Sequence, residues 1–376
     1  MSRAACLFGL ILLAALFLMA GAFKLRWFQN GTFVPTPDAK VAFQLPQTLD
    51  GLLALPPDQL TLCDIGLMNL LCAEGLRGSE GLNVTKFTQL LDGIASRVEQ
   101  ETARHRYRYL EKPEDFGRSE ATFQMLMLTM VLQEDLRIRY NPERITPVGV
   151  FEANDLFFAN SADVFIHGLA GDQRMGTCSS LPVFYVAIGR RLGYPLQLVP
   201  TKNHLFVRWE GQGERFNVDA TGRGFHRYDD DHYRRWPFPV SRDEEAEMGL
   251  LKSMTAAESL AAFLNLRGSC LMSMGRLDEA VAAHERAVEL VPHGRMQQFM
   301  LAAARRDREA RLRPQQVLLP NGQLVSANEA ESEWSILQAM EAAANAKQTP
   351  WGMTGLTPEQ QRVLPHEPNP LRGLTP

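Results

Sequence analysis

An α+β fold with helices at both ends is predicted by three observations. Apolar residues recur at helical spacing over 58–140, two alternating runs joined by a glycine-bearing turn occupy 204–220, and helical spacing returns over 258–312. The expected architecture is a helical amino-terminal part, a core built on an antiparallel sheet, and a carboxy-terminal helical segment.

The chain opens with an uncharged apolar stretch at 4–23, behind Arg3. About 20 apolar residues are enough to cross a bilayer as a helix, and Ala20-Gly21-Ala22 offers the small residues of a signal-peptidase site. Residues 1–23 are therefore read as a signal peptide or a membrane anchor, with the body extracytoplasmic (periplasmic or cell envelope). Residues 24–57, punctuated by proline, are read as a linker.

Residues 58–142 read as a helical subdomain. The segment 62–76 has helical period, so Cys63 and Cys72, nine residues apart, stand ~13 Å apart on a helix, too far for a disulfide. Both are expected to be buried small apolar residues. Asn83 caps a second helix with Leu90, Leu91, Ile94 and Val98 as its apolar stripe, and Ser119 opens a third with Phe123, Leu126, Met127, Met130 and Val131 as its core face. Asn141-Pro142 ends the block.

The next block, 143–245, is the expected core. VFIHGLA (164–170) and PLQLV (195–199) are short apolar runs read as strands, and HLFVRW (204–209) and RFNVDA (215–220) alternate. Between the first two lies a strong helix over 179–193, stopped by Gly193 before Pro195. The run 226–236, HRYDDDHYRRW, mixes charges of both signs. It fits a solvated loop better than a metal site, because ligands need fixed inward geometry.

Residues 258–313 carry Ala261, Gly268, Leu271, Gly275, Ala280, Ala287 and Pro292 at the spacing of one tetratricopeptide repeat. Small residues there let two antiparallel helices approach closely. Residues 295–312 supply a capping helix, and a single repeat is expected to pack on its parent domain. The tail, 345–376, is polar and proline-rich, the composition of a disordered segment.

Composition excludes several classes. With 39 basic and 43 acidic residues and a net charge of −4, the chain lacks the basic footprint of a nucleic-acid binder. Five cysteines without a paired-cysteine motif do not make a disulfide scaffold or a structural zinc site. No cofactor and no metal ligand set is expected.

The chemistry concentrates on three residues. Cys178 lies before or within the first turn of the 179–193 helix, where unpaired N–H groups and the helix dipole stabilise an anion. Pro182 is tolerated in that turn, and Gly176 is read as allowing close approach of substrate. His204 begins one alternating run and Asp219 ends the next. If Trp209 pairs with Glu214 across the loop EGQG, His204 falls directly opposite Asp219 on one sheet face, ~5 Å apart at Cβ. A carboxylate beside an imidazole fixes its tautomer, which a general base needs. The Cys178 N–H is the expected first oxyanion donor and Gln173, five residues upstream, a candidate side-chain donor.

The order GTC, then NH on a strand, then VDAT on the next resembles the transglutaminase-like superfamily of papain-fold thiol enzymes. LMNLLCAEGL, LRIRYNP and GTCSSLPVFYVAIGRRLGYPLQLV resemble its bacterial branch, in which a helical lead-in and this core are joined to a tetratricopeptide-type segment. The resemblance covers roughly 60–295. It implies Cys178 as nucleophile, His204 as general base and Asp219 as orienting carboxylate. The interval from Cys178 to His204 is shorter than in the large crosslinking members, and acidic calcium loops are missing from the sequence. Amide hydrolysis or deamidation of a protein or peptide is therefore expected rather than calcium-dependent crosslinking. The alternative is a catalytically silent binding module for an envelope protein partner, contacted through the tetratricopeptide-like helices.

Overall fold

The computed structural model describes residues 43–145, 157–171, 173–312, 316–318 and 324–326. The leader at 1–23, most of the 24–57 linker and the 345–376 tail lie outside the described residues. Among the described residues no helix is long and apolar enough to cross a membrane.

The end of the expected linker is structured. Thr48 caps a short helix, α1 (Leu49–Leu53), by accepting from the Gly51 N–H, and Leu52 is fully buried. Helix α2 (Ile65–Ala73) starts at Asp64, whose carboxylate accepts from the Leu67 N–H at 2.8 Å. That cap makes the helix shorter than the 62–76 period suggested and leaves Cys63 in front of it. All nine residues of α2 are buried, so it is a central helix rather than an amphipathic surface one.

Asn83 caps α3 (Val84–Glu111), accepting from Lys86 N–H at 2.9 Å. Its inner stripe is Phe87, Leu91, Ile94, Ala95 and Val98. Leu90, expected in that stripe, is 41% exposed, because it stands one residue off the inward line. Ser119 caps α4 (Glu120–Met130), which continues through a π-turn at Val131–Asp135. Phe123, Leu126 and Val131 are buried, while Met127 and Met130 are half-buried.

The run 164–170 is not a strand. It forms the end of α5 (Ser161–Val164) and a 3-10 turn, Ile166–Ala170. A short, mostly apolar run has no periodicity to separate strand from buried turn. Here the polar groups decide: Asn160 caps α5 through Ala162 N–H, and Asn69 accepts from the Ile166 N–H at 3.0 Å. The short strands β1 (Arg139–Tyr140) and β2 (Met175–Gly176) pair in parallel on either side of this region.

Helix α6 (Leu181–Arg191) is followed by an antiparallel meander of β3 (Leu196–Thr201), β4 (His204–Gly211), β5 (Glu214–Val218) and β6 (Arg227–Tyr228). One side of α6 packs on β3 and β4 and the other on α2 and α3, so helical and sheet parts share a core. Gly189 permits the approach: a Cβ there would lie 2.3 Å from Leu196 Cδ1.

The β4–β5 hairpin differs from expectation by two residues. Trp209 pairs with Phe216 and Gly211 with Glu214, leaving only Gln212 and Gly213 in the turn. Both have positive φ, 55° and 80°, the signature of a tight turn whose twist matches the flanking strands. The four-residue EGQG loop therefore does not form, and His204 is not directly opposite Asp219.

The run 226–236 is not a solvated loop either. It provides β6 and α7 (Asp230–Arg235), capped by Asp229 through the His232 N–H. Tyr233 is fully buried among Val199, Phe206, Leu250 and Leu251. The surrounding charges mask this one inward ring in the sequence.

The remaining α-helices and strands among the described residues are α8 (Arg242–Met248), α9 (Ala256–Ser273), α10 (Leu277–Leu290), α11 (Arg295–Leu312) and a hairpin of β7 (Gln316–Leu318) with β8 (Leu324–Ser326). Helices α9 and α10 pack closely where Gly268 faces the His284 ring. Helix α9 docks on α2, with the Arg267 guanidinium donating to the carbonyls of Cys72 and Glu74 at 2.9 and 2.7 Å.

Candidate active site

Cys178 stands in a turn immediately before α6. The Leu181 N–H donates to the Thr177 carbonyl at 3.0 Å, the Thr177 N–H to Ser180 Oγ at 3.0 Å, and the Ser179 N–H to Thr177 Oγ1 at 3.2 Å. The Thr177 hydroxyl is tied to the Asp163 carbonyl at 2.8 Å. Short polar side chains thus wind the backbone into helix while the half-buried Cys178 side chain projects from it. Gly176 is not a substrate approach. A Cβ there would meet Ser180 Oγ at 2.7 Å and Leu169 Cδ2 at 2.8 Å, so glycine is required for this turn to pack on its own chain.

His204 opens β4 directly after Asn203, which takes the left-handed conformation (φ 57°) in the β3–β4 turn. That turn delivers the strand to the amino end of α6, and the Asn203 carbonyl lies 3.9 Å from Cys178 Sγ. The Cys178 thiol is near enough to the His204 ring to help raise it above its ordinary range. On its other side, Nε2 is 3.0 Å from Asp219 Oδ2. A carboxylate only accepts, so Nε2 carries the hydrogen and Nδ1 is left for the sulfur. The two-residue register difference costs nothing here. A slip of two preserves the face to which a strand side chain points, and His204 meets Asp219 as a diagonal neighbour.

Asp219 is held by more than the histidine. Its Oδ1 accepts from Thr221 Oγ1, from the Thr221 N–H at 2.8 Å and from the Gly222 N–H at 3.3 Å, and Tyr233 Oη lies 3.4 Å from Oδ2. Gln133 fastens the following loop, donating to the Gly222 carbonyl at 3.0 Å and accepting from the Gly224 N–H at 2.6 Å. Trp236 meets the His204 ring edge-on at 4.8 Å and Tyr233 lies parallel to it at 6.2 Å. The pair is consequently sealed from solvent: His204 is 8% and Asp219 4% exposed.

Burial alone pushes the His204 imidazole down. The charge and hydrogen bond of Asp219, and then the Cys178 thiol, outweigh it and raise the ring to about 9. Burial pushes the Asp219 carboxyl up, but His204 and the two Thr221 donors hold it well below the usual carboxylate range. Both shifts run in the direction that favours an imidazolium beside a carboxylate.

Tyr140 is a site residue that the spacing argument does not single out. Its hydroxyl donates to the Arg144 carbonyl at 3.5 Å, and burial first, then the neighbouring Cys178 thiol, hold the phenol protonated. Strand pairing places it there, because Tyr140 is in register with Gly176 and the Asn141 N–H donates to the Gly176 carbonyl at 2.8 Å. The only sequence signal was its position within LRIRYNP. Gln173 is exposed in the turn ahead of β2, and among the described residues no hydrogen bond ties it to Cys178. The histidines of 226–236 have other occupations: His226 Nε2 is 2.7 Å from the Arg223 carbonyl, and His232 stacks on Tyr228 at 3.9 Å.

A thiol, an imidazole and a carboxylate brought together at one helix end have the parts needed for nucleophilic attack on a carbonyl carbon. No curated protein and no solved structure gives a significant match to the chain. A family model does match. It begins in α3, runs through the Cys178 turn and the whole meander, and ends in α9; over residues 85–262 this chain carries a domain of the transglutaminase-like superfamily.

Proposed function

We propose that this protein is a cysteine acyl-transfer enzyme that hydrolyses or deamidates a protein or peptide amide through Cys178, His204 and Asp219. The observation that carries the reading is the relay from the Cys178 thiol through His204 to Asp219, with the His204–Asp219 bond at 3.0 Å inside a sealed pair. The Cys178 sulfur, its proton taken up by His204, attacks the amide carbonyl and forms a C–S bond. The His204 proton passes to the leaving nitrogen as the C–N bond breaks, and the amine or ammonia departs from a thioester. Water, deprotonated by His204, then attacks the thioester carbon, releasing the acid and the thiol. Asp219 keeps the ring oriented throughout without taking the proton.

The apolar run at 4–23 supports an extracytoplasmic placement, cleaved from or tethered to a bacterial envelope membrane. A reporter active only outside the cytoplasm, fused after residue 57, tests it; activity equal to that of a leaderless fusion rejects it. The helical pair α9–α10 is assigned a supporting part, since α9 is fastened to α2 through Arg267.

The decisive experiment is iodoacetamide labelling of the folded body at pH 7, mapped by mass spectrometry, with and without His204→Ala. Rapid modification of Cys178 that slows about tenfold or more in the variant is expected. Equal, slow labelling in both proteins leaves the triad silent and favours the binding-module reading.

A further inference from the structure

We infer that Gln133 is a positioning residue of the triad: its side-chain amide fastens the helix of the nucleophile to the loop that aims the Asp219 carboxylate. This rests on the acyl-transfer reading above. Gln133 is remote in sequence from all three triad residues, yet its amide bonds both sides of the site. Nε2 donates to Tyr185 Oη at 3.1 Å, on the nucleophile helix α6, and to the Gly222 carbonyl at 3.0 Å. Oε1 accepts from the Gly224 N–H at 2.6 Å. Both amide hydrogens are therefore used, and the Gly224 donor fixes which end of the amide is oxygen. The neighbouring Val131 and Leu132 fill the core with apolar side chains, so packing alone does not require an amide at 133.

Gly222 is where this connection reaches the carboxylate. Its carbonyl is held by Gln133, and its N–H donates to Asp219 Oδ1 at 3.3 Å, beside the Thr221 N–H at 2.8 Å. Those donors, with the Thr221 hydroxyl, occupy Oδ1 and leave Oδ2 for His204 Nε2 at 3.0 Å. Neither Gly222 nor Gly224 has a side chain to anchor the loop, and Gly224 stands at φ 87°, so the anchor comes from another segment. A widened helical turn supplies it. Within Val131–Asp135 and its cap, the Leu136 N–H donates to the Val131 carbonyl, five residues back, at 2.9 Å, and this turn carries Gln133. The other end of the bridge is firm, because Tyr185 is buried in α6. The amide thus sets the carboxylate, and through it the imidazole, against the helix whose first turn follows Cys178.

A mutant cycle separates this role from that of a structural strut. Iodoacetamide alkylation of Cys178 is timed on the full chain at pH 7, well below the melting temperature. The proteins are wild type, Gln133→Met, Asp219→Asn, the double variant and His204→Ala. Methionine keeps length and bulk while removing all three bonds. In Gln133→Met the rate is expected to fall about five- to tenfold, and no further than in Asp219→Asn. The double variant is expected to stay within about twofold of Asp219→Asn alone, because Gln133 acts through that carboxylate. A strut that only holds the fold together lowers the Tm and leaves the rate of the folded protein unchanged, and that result overturns the inference. So do losses that multiply in the double variant, since they place the effect outside Asp219. Alkylation indifferent to His204 defeats the enzyme reading and the inference with it, whereas dependence on His204 and Asp219 but not on Gln133 sinks the inference alone. Tyr185→Phe guards against a Gln133 variant that does not fold, because it removes only the α6 end of the bridge. It is expected to slow alkylation about threefold and to add nothing to Asp219→Asn; a wild-type rate in Tyr185→Phe overturns the bridge.

Discussion

His204 and Asp219 hydrogen-bond at 3.0 Å across the β4–β5 hairpin although they are not opposite one another in the ladder; Asp219 follows Val218, which pairs with Val207. The bond is diagonal. It reaches because both side chains point to the same face and because Thr221 and Gly222 turn the carboxylate toward the ring.

Orientation by Asp219 makes a first prediction. Asp219→Asn keeps volume but removes the fixed acceptor of the Nε2 hydrogen, so Cys178 alkylation by iodoacetamide at pH 7 is expected to slow about tenfold or more. Unchanged labelling with circular dichroism intact removes Asp219 from the mechanism.

The same pair predicts how stability depends on pH. His204, at about 9, is raised above its ordinary 6.5, so its contribution is complete below 6.5 and lost as pH rises through 9. Asp219 is depressed below its ordinary 3.8, so its contribution is complete above 3.8 and lost as pH falls through the lowered value. The Tm gap between wild type and Asp219→Asn should be widest near about pH 5 and shrink toward about pH 9.5. A gap that widens above pH 7 contradicts the raised imidazole.

Gly176→Ala tests the packing of the nucleophile turn. A methyl group 2.7 Å from Ser180 Oγ and 2.8 Å from Leu169 Cδ2 must displace one of them. A loss of about 1–3 kcal/mol in urea denaturation is expected, together with slower Cys178 alkylation. Wild-type stability would show that the turn yields freely.

Lys202 carries a side chain only 4% exposed and bonds Glu244 at 2.6 Å, pinning α8 beside the β3–β4 turn that precedes His204. Glu244→Gln withdraws the charge partner of a buried ammonium and should cost about 3 kcal/mol or more, whereas Lys202→Met with Glu244→Leu should cost less than the single change. Equal losses by chemical denaturation would mean that the pair is not the buried anchor described.

Thiol accessibility should divide sharply. Burial pushes Cys72 and Cys270 up to about 12 and raises Cys63 as well, while Cys178 is half-buried at the site. Native labelling of the folded body should be confined to Cys178, the other three reacting only in denaturant. Comparable native labelling of Cys72 would mean that α2 opens readily.

Much of this was legible along the chain because it is local. Asn83 and Ser119 announce their helices through side chains that reach an N–H three residues on, and the β4 and β5 runs declare a buried face by alternation. The hairpin turn has two residues where four are expected, yet His204 and Asp219 still share a face, since a strand slip of two residues returns every side chain to the same side. Other features depend on partners far away in sequence. The run 164–170 is a turn and not a strand because Asn69 accepts its backbone hydrogen, and 226–236 is ordered because Tyr233 finds Phe206 and Asp219. Tyr140 comes beside Gly176, two residues before Cys178, only through a two-residue parallel pairing that no periodicity encodes. The helical and alternating segments and the three residue types of the candidate triad can be read along the chain, because capping and side-chain period act within a few residues. The register, the cover over the triad and the pairing of Tyr140 with Gly176 come from the folded core, because each is a hydrogen bond or contact between segments brought together only when that core closes.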